Sequence, residues 1–399
     1  MIIESSLKRR VFLGGLPVVA VAAAASVAHA RDWTTGPITI GLVSPLSEPG
    51  DARSGQAIRQ TAELWIKTTN AAGGIGGRTV RLAIYDDAGK VEVGAQGAER
   101  AITEKDASAL LGMWSSSVTL AQMEVAKRYN VPLLAFYSWS DEVTAKNYPQ
   151  VFRIGPYNSK IAEQTAEFVK KRGYKRIVML AEDTAYGLGF AKSFEMAAKG
   201  LPGVHVETVQ FQAQTQDLTP VMSRISASAP NAVIVQTVFA TTNLSIKQGR
   251  EVGLQADIVA GWDWPTLGDF WPTVGEAGVG VIYPTFNDPS LTRSKTGDAF
   301  VSAYKASYGA EPAIFQYYLW DNFNAIKAAI DKAGTADPAK LVETLPTVTF
   351  EGTISPIAFK RDKGTVNFNQ WDEFAMFFKQ MGKVGDGDGD ATLVFGSSR

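Results

Sequence analysis

A repeated alternation narrows the possible folds of this 399-residue chain more than any single motif. Ile38–Leu46, ITIGLVSPL, is almost wholly apolar, as a strand covered on both faces must be. From about Gly55 to Ala72 the period turns helical, with Ile58, Ala62, Trp65, Ile66 and Thr69 on one side. TVRLAIYDD (79–87), ALLGMW (109–114) and VPLLAFY (131–137) read as further strands, separated by helical patterns over Val91–Lys105 and Leu120–Tyr129. Such β-α-β repetition predicts a parallel sheet with helices on both faces.

The series then restarts. NSKIAEQTAEFVKKRGYK opens with capping residues at Asn158 and Ser159 and reaches a helix stop at Gly173. RIVMLAED, VHVETVQF, NAVIVQTVF and ADIVAGW follow as strands, with helices between them. Two similar α/β halves are expected, the first ending near Phe152–Asn158. In the tail, GVGVIYP reads as a strand, and Gly297–Tyr308 and Tyr317–Ala333 as long helices.

The N-terminus predicts export. Lys8, Arg9 and Arg10 precede an apolar run from Val11 to Ala28, and Ala28-His29-Ala30 fits the small-x-small cleavage pattern. Residues 1–30 thus read as a signal peptide cut after Ala30, in a form compatible with the twin-arginine route. The alternative, an uncleaved anchor, is opposed by Gly14, Gly15 and Pro17 within the run. Cleavage takes the net charge from −1 to −3, which offers no footprint for nucleic acid. With no cysteine in the chain, disulfides, thiolate metal sites and a catalytic thiol are excluded.

The stretch NAAGGIGGR (70–78) looks like a phosphate cradle, but its context is reversed. A dinucleotide loop follows a strand and opens a helix, whereas this one ends a helix and precedes a strand. Thr79 also stands where the third glycine belongs, and there is no P-loop lysine. Gly73-Gly74 therefore read as a left-handed helix stop and Gly76-Gly77 as a turn.

NAAGGIGGR, followed by a strand and Asp86-Asp87, resembles the periplasmic binding proteins of the branched-chain amino-acid type. ITIGLVSPLS, LLGMWSSSVTLA, VPLLAFYSWSDEVT, YPQVFRIGPYNSKIAEQTAEFV, EDTAYGLG, KQGREVGL and GWDW are similar to that family's motifs and come in the same order. The resemblance spans about Ile38 to Phe374. It implies a type I periplasmic binding fold: two Rossmann-like α/β lobes with parallel sheets, joined by a multi-crossing hinge. The lobes would be 37–155 with about 284–348, and 156–283 with about 349–399. The two long helices would return to the first lobe, and TVTFEGTISPIAF and FAMFFKQM to the second. The implied function is that of an exported receptor. It captures an amino acid or a related small carboxylate or amide between the lobes. It then delivers the solute to an ATP-driven (ABC) importer, whose permease and ATPase are separate chains. A monomer without cofactor or metal is expected. The alternatives are a ligand sensor for a signalling partner and an exported enzyme or its regulatory subunit.

Candidate contacts follow from strand ends. Ser115 and Ser116, with Ser117, end one strand and open a helix, so they suit either a carboxylate site or a plain helix cap. Asp263 is either a cap for the segment from Pro265 or, by resemblance, the acid that pairs a ligand ammonium. Tyr186, Phe239 and Tyr317 or Tyr318, of which Tyr318 is preferred, fall at the family's side-chain-contact positions. Tyr137, Ser138 and Trp139 form the remaining pocket loop. Trp139 stands where the resemblance expects a small hydroxyl residue, and Trp114, Trp262 and Trp264 also flank pocket loops. An aromatic lining of this kind suits an aromatic acid, a flat amide or a cation. Enzyme chemistry has little to draw on: His205 sits in a strand without a motif, and neither a nucleophile elbow nor a zinc helix is present. GDGDGD (385–390) has alternating acids like a calcium loop, but Ser397 replaces the closing glutamate, so a solvated turn is expected.

Overall fold

The computed structural model describes residues 31–112, 114–238, 240–263, 265, 269–286 and 293–396. The expected leader, Phe239, Trp264 and Ser397 lie outside the described residues. The first half supplies β1 (Ile38–Ser44), β2 (Val80–Asp86), β3 (Ala107–Gly112), β4 (Leu133–Ala135) and β5 (Val151–Ile154). The second supplies β6 (Arg176–Glu182), β7 (His205–Phe211), β8 (Ala232–Gln236), β9 (Asp257–Ala260) and β10 (Ile282–Thr285). The tail adds β11 (Thr349–Glu351), β12 (Pro356–Ala358), β13 (Lys360–Arg361), β14 (Phe368–Trp371), β15 (Phe377–Gln380) and β16 (Thr392–Gly396).

Two seven-stranded sheets result, in the orders β13-β14-β5-β4-β3-β1-β2 and β16-β15-β10-β9-β8-β6-β7. Within each, the five strands of one half are parallel, and antiparallel pairs appear only where tail strands join. β1 and β3 are buried at every residue, which explains their unbroken apolar runs. β7, at one edge, alternates in exposure instead, and His205 is an exposed residue at its start.

The tail corrects the expected return path. TVTFEGTISPIAF forms a separate hairpin of β11 and β12, and the next strands, β13 and β14, extend the first sheet and not the second. Polar side chains fix this choice. Fully buried Arg153 of β5 donates through Nε to Gln370 Oε1 at 2.6 Å, and Asn369 Nδ2 donates to the Val151 carbonyl at 3.0 Å. β15, from FAMFFKQM, pairs with β10 in the second sheet. The helix Ile314–Ala333 packs on the helix Ala52–Ala71, where Trp65 stacks on Phe323 at 4.8 Å and donates to Asn324 Oδ1 at 2.9 Å.

The glycine stretch is structural. Gly73, Gly74, Gly76 and Gly77 all have positive φ, and Ile75 and Arg78 close a turn with paired backbone bonds. Arg78 then donates to the carbonyls of Trp33, Thr35 and Gly36, tying the turn to the chain before β1.

Candidate functional site between the carboxyl ends of the two sheets

In open α/β sheets the strand carboxyl ends and the loops after them face the crevice. Here the loops after β3 and β4 meet the segments after β6, β9 and β10. Their junction is apolar and aromatic. Trp114, after β3, stacks on Tyr137, after β4, with centroids 5.4 Å apart. It also meets Trp262, after β9, edge-on at 5.5 Å and Phe315 at 4.9 Å. Trp139 contacts Tyr137 at 5.1 Å, Tyr186 at 5.7 Å and Phe286 at 5.5 Å, all edge-to-face. Tyr318 lies parallel to Tyr137 at 6.3 Å, whereas Tyr317 packs away from the junction against Phe300. One apolar cluster runs from the first sheet through these rings into the second.

Trp114 adopts φ = 56°, a left-handed conformation that a bulky residue rarely takes. The cost is of the order of 1–3 kcal/mol, held by the rings packed around it.

Asp263 lies among these rings and is 5 % exposed. Tyr137 Oη donates to its Oδ1 at 2.9 Å, so a side chain from the first sheet is bonded to one from the second. Burial drives the Asp263 carboxyl from its usual 3.8 up to about 7, opposed by the Tyr137 hydrogen bond and reinforced by the charge of Asp388. Burial also raises the Tyr137 and Tyr186 hydroxyls far above the usual phenol value. Glu182, at the end of β6, rises to about 7 through burial, while the Val238 amide and the Thr241 hydroxyl donate to it.

The serine loop forms a cap. Ser115 Oγ accepts from the Val118 amide at 3.4 Å, at the start of the helix Ser116–Tyr129. Ser116 Oγ accepts from the Ser140 amide at 3.2 Å, binding the two pocket loops of the first sheet together. Ser117 Oγ accepts from the Ala185 amide at 3.2 Å, a second bond between the lobes. Ser138 is fully buried and shares a 2.5 Å hydrogen bond with Thr119 Oγ1. The Trp139 indole N–H is buried and has no hydrogen-bond partner among the described residues. An unmet buried donor costs roughly 1–3 kcal/mol, so a solute that accepts from it gains that much.

The chain matches the model of the family described as periplasmic binding protein over residues 37–377. It belongs to that family. Among curated members it is 26% identical, over 76% of this chain and 82% of the other, to the Leu/Ile/Val-binding protein homolog 3 of Brucella melitensis. Among solved structures of periplasmic binding proteins, it matches a leucine binding protein of Thermotoga maritima with a TM-score of 0.79. That match has 22% identity and covers 90% of this chain and 98% of that one. A solute binding protein of R. palustris, solved in complex with benzoate, matches with a TM-score of 0.77. Identity there is 20%, with 90% of this chain and 96% of that one covered. These structural likenesses establish the type I periplasmic binding fold, two α/β lobes joined by several chain crossings.

The expected site residues Ser115, Ser116, Tyr137, Ser138, Trp139, Tyr186, Asp263 and Tyr318 all lie at or beside the junction of strand ends. Reading the sequence alone missed Phe286 and Phe315. Phe286 directly follows a strand end, a signal that was available; Phe315, in the first turn of a helix, has no such mark. The acids of GDGDGD are engaged locally. Asp386 Oδ2 accepts from the Gly382 and Lys383 amides, and Asp388 pairs with buried Lys379 at 3.0 Å and accepts from Tyr283 Oη at 2.8 Å. No group of three or more acids or histidines able to hold a metal occurs among the described residues. No described helix is long and apolar enough to cross a membrane.

Proposed function

We propose that this periplasmic binding protein captures a small solute between its lobes, at the aromatic junction around Asp263, and hands it to an ABC importer. The buried Tyr137–Asp263 hydrogen bond between the two sheets carries this reading. The protein performs no chemistry on its solute. It binds in a closed form and releases on opening, so the difference in affinity between the two forms is its mechanism. The first lobe comprises 37–155, about 287–348 and the strand pair β13–β14; the second comprises 156–286, with β10, and the chain from β15 onward. Residues 1–30 direct export and are removed after Ala30, and the mature chain works as a monomer in the periplasm. The permease and ATPase are separate chains that read the closed form. The contacts to solute come from Tyr137, Trp139, Tyr186, Asp263 and Tyr318, with Ser115, Ser116 and Ser138 holding the loops that carry them.

A thermal-shift panel tests this. The purified chain is unfolded and refolded to strip bound solute, then screened against aliphatic and aromatic amino acids, aromatic carboxylates, short amides and amines. A solute at about a hundred times its dissociation constant stabilises the fold by about 2.7 kcal/mol, an easily read shift. At least one class should give it, and the same solute should give a much smaller shift with Asp263→Asn. Equal shifts for both proteins would place the binding elsewhere and overturn the site.

A further inference from the structure

β8, AVIVQ, is buried at every residue and apolar at all but the last. Gln236 closes it, fully buried, at the carboxyl end of a central strand of the second sheet. A buried amide ordinarily has hydrogen-bond partners. Neither Gln236 Nε2 nor Oε1 has one among the described residues. A Cβ at Gly261, directly after β9, would lie 2.3 Å from Gln236 Oε1, so the bare glycine makes room for the amide two residues before Asp263. The amide also acts on the Tyr186 hydroxyl without closing a hydrogen bond to it. That hydroxyl and the Trp139 indole N–H are likewise buried and unmet among the described residues, and their two rings touch edge-to-face. Polar groups beside them are matched within the fold. Glu182 accepts from the Val238 amide and the Thr241 hydroxyl, and Thr237, next to Gln236, shares a 2.9 Å hydrogen bond with Thr242. Three unmet polar side chains, one from the first lobe and two from the second, thus meet in one corner of the junction.

We propose that Gln236 is a specificity-determining contact: with Tyr186 and Trp139 it binds an uncharged hydroxyl or carboxamide on the body of the solute. This rests on the solute-receptor reading and narrows it. A wholly apolar body would leave all three side chains unmet in the closed form. The corner offers N–H donors and a carbonyl acceptor side by side, and a hydroxyl or carboxamide both accepts and donates. A site built to hydrogen-bond such a group rejects the analogue that lacks it. A solute carboxylate keeps a place of its own, at the serine-loop hydroxyls and the helix N-terminus they open.

Isothermal titration of the refolded, solute-free protein with isosteric pairs tests the proposal. The pairs are L-asparagine with L-leucine, L-glutamine with L-methionine, L-tyrosine with L-phenylalanine, and 3-(4-hydroxyphenyl)propionate with 3-phenylpropionate. Within each pair the charged groups are the same, and only the body gains or loses its polar group. In at least one pair the polar member should bind about tenfold more tightly than its partner, or better. Gln236→Leu, which keeps the size and removes the amide, should bring that pair to within about threefold. Tyr186→Phe, which keeps the ring, should narrow the gap in the same direction. A merely structural role would weaken both members equally. Apolar members that bind as tightly as polar ones in every pair, or an equal loss for both members in Gln236→Leu, would overturn the proposal and leave the receptor reading intact. If only another solute of the thermal-shift panel binds, weaker binding by Gln236→Leu supports the proposal and unchanged binding overturns it. No heat from any pair and no shift with any panel solute would overturn both.

Discussion

Asp263 concentrates the account into one side chain. Its folded-state pKa of about 7 lies well above the ordinary 3.8, so the folded, solute-free protein holds the proton more tightly than the unfolded chain does. Stability should therefore fall as pH rises from about 4 to about 7 and level off above that, by at most about 4 kcal/mol from this group. Tyr137, Asp388, Tyr186 and Tyr283 are the titratable groups coupled to it, and the three tyrosines stay protonated across this range because burial raises them. Glu182, also near 7, adds to the fall in the same direction. Urea unfolding of wild type and Asp263→Asn at pH 5 and pH 8 checks the assignment. The variant should be the more stable at pH 8, and the difference should shrink at pH 5. A variant less stable at pH 8 would show that the carboxylate is satisfied within the fold and does not wait for a solute. The placement of Trp114, Trp262 and Asp263 at strand ends was legible in the sequence because each closes an apolar run, whereas Tyr186, which follows the polar Glu182-Asp183-Thr184, was placed by the family resemblance. The Tyr137–Asp263 bond was not legible, since it joins residues 126 apart in sequence through the packing of two lobes.

At the scale of elements, the alternation of buried strands and helices announced both sheets, because strands covered on two faces leave unbroken apolar runs. The tail was harder to read. β13 and β14 are short, and what commits them to the first sheet is buried hydrogen bonding from Arg153 and Asn369, which leaves no periodic trace. The glycine stretch shows the opposite case, where local chemistry decides alone. Gly74 has φ = 79°, and a Cβ there would lie 2.0 Å from the Arg78 carbonyl oxygen; Gly73 has φ = 97° with open space around it. Gly73→Ala should cost about 1–2 kcal/mol, the penalty of a left-handed conformation alone. Gly74→Ala should cost more, since the turn must also move. Chemical denaturation of the two variants reads the difference, and equal costs would mean that the turn yields freely.

Among the described residues, the bonds that join the lobes include Tyr137 to Asp263, Ser117 to the Ala185 amide, Asp141 to the Ser159 amide and the Ser193 hydroxyl, and an exposed ion pair between Arg53 and Asp269 at 2.8 Å. The ion pair is half exposed on both sides and contributes about 1 kcal/mol or less. Against these stand the left-handed backbone at Trp114 and the burial of an acid, and on the proposed mechanism a bound solute tips the balance towards the closed form. Small-angle X-ray scattering of the refolded protein, before and after saturation with the solute that gives the largest thermal shift, tests this most directly. A radius of gyration that falls on binding is the predicted result. A solute that stabilises the protein while the radius of gyration stays the same would contradict capture by closure.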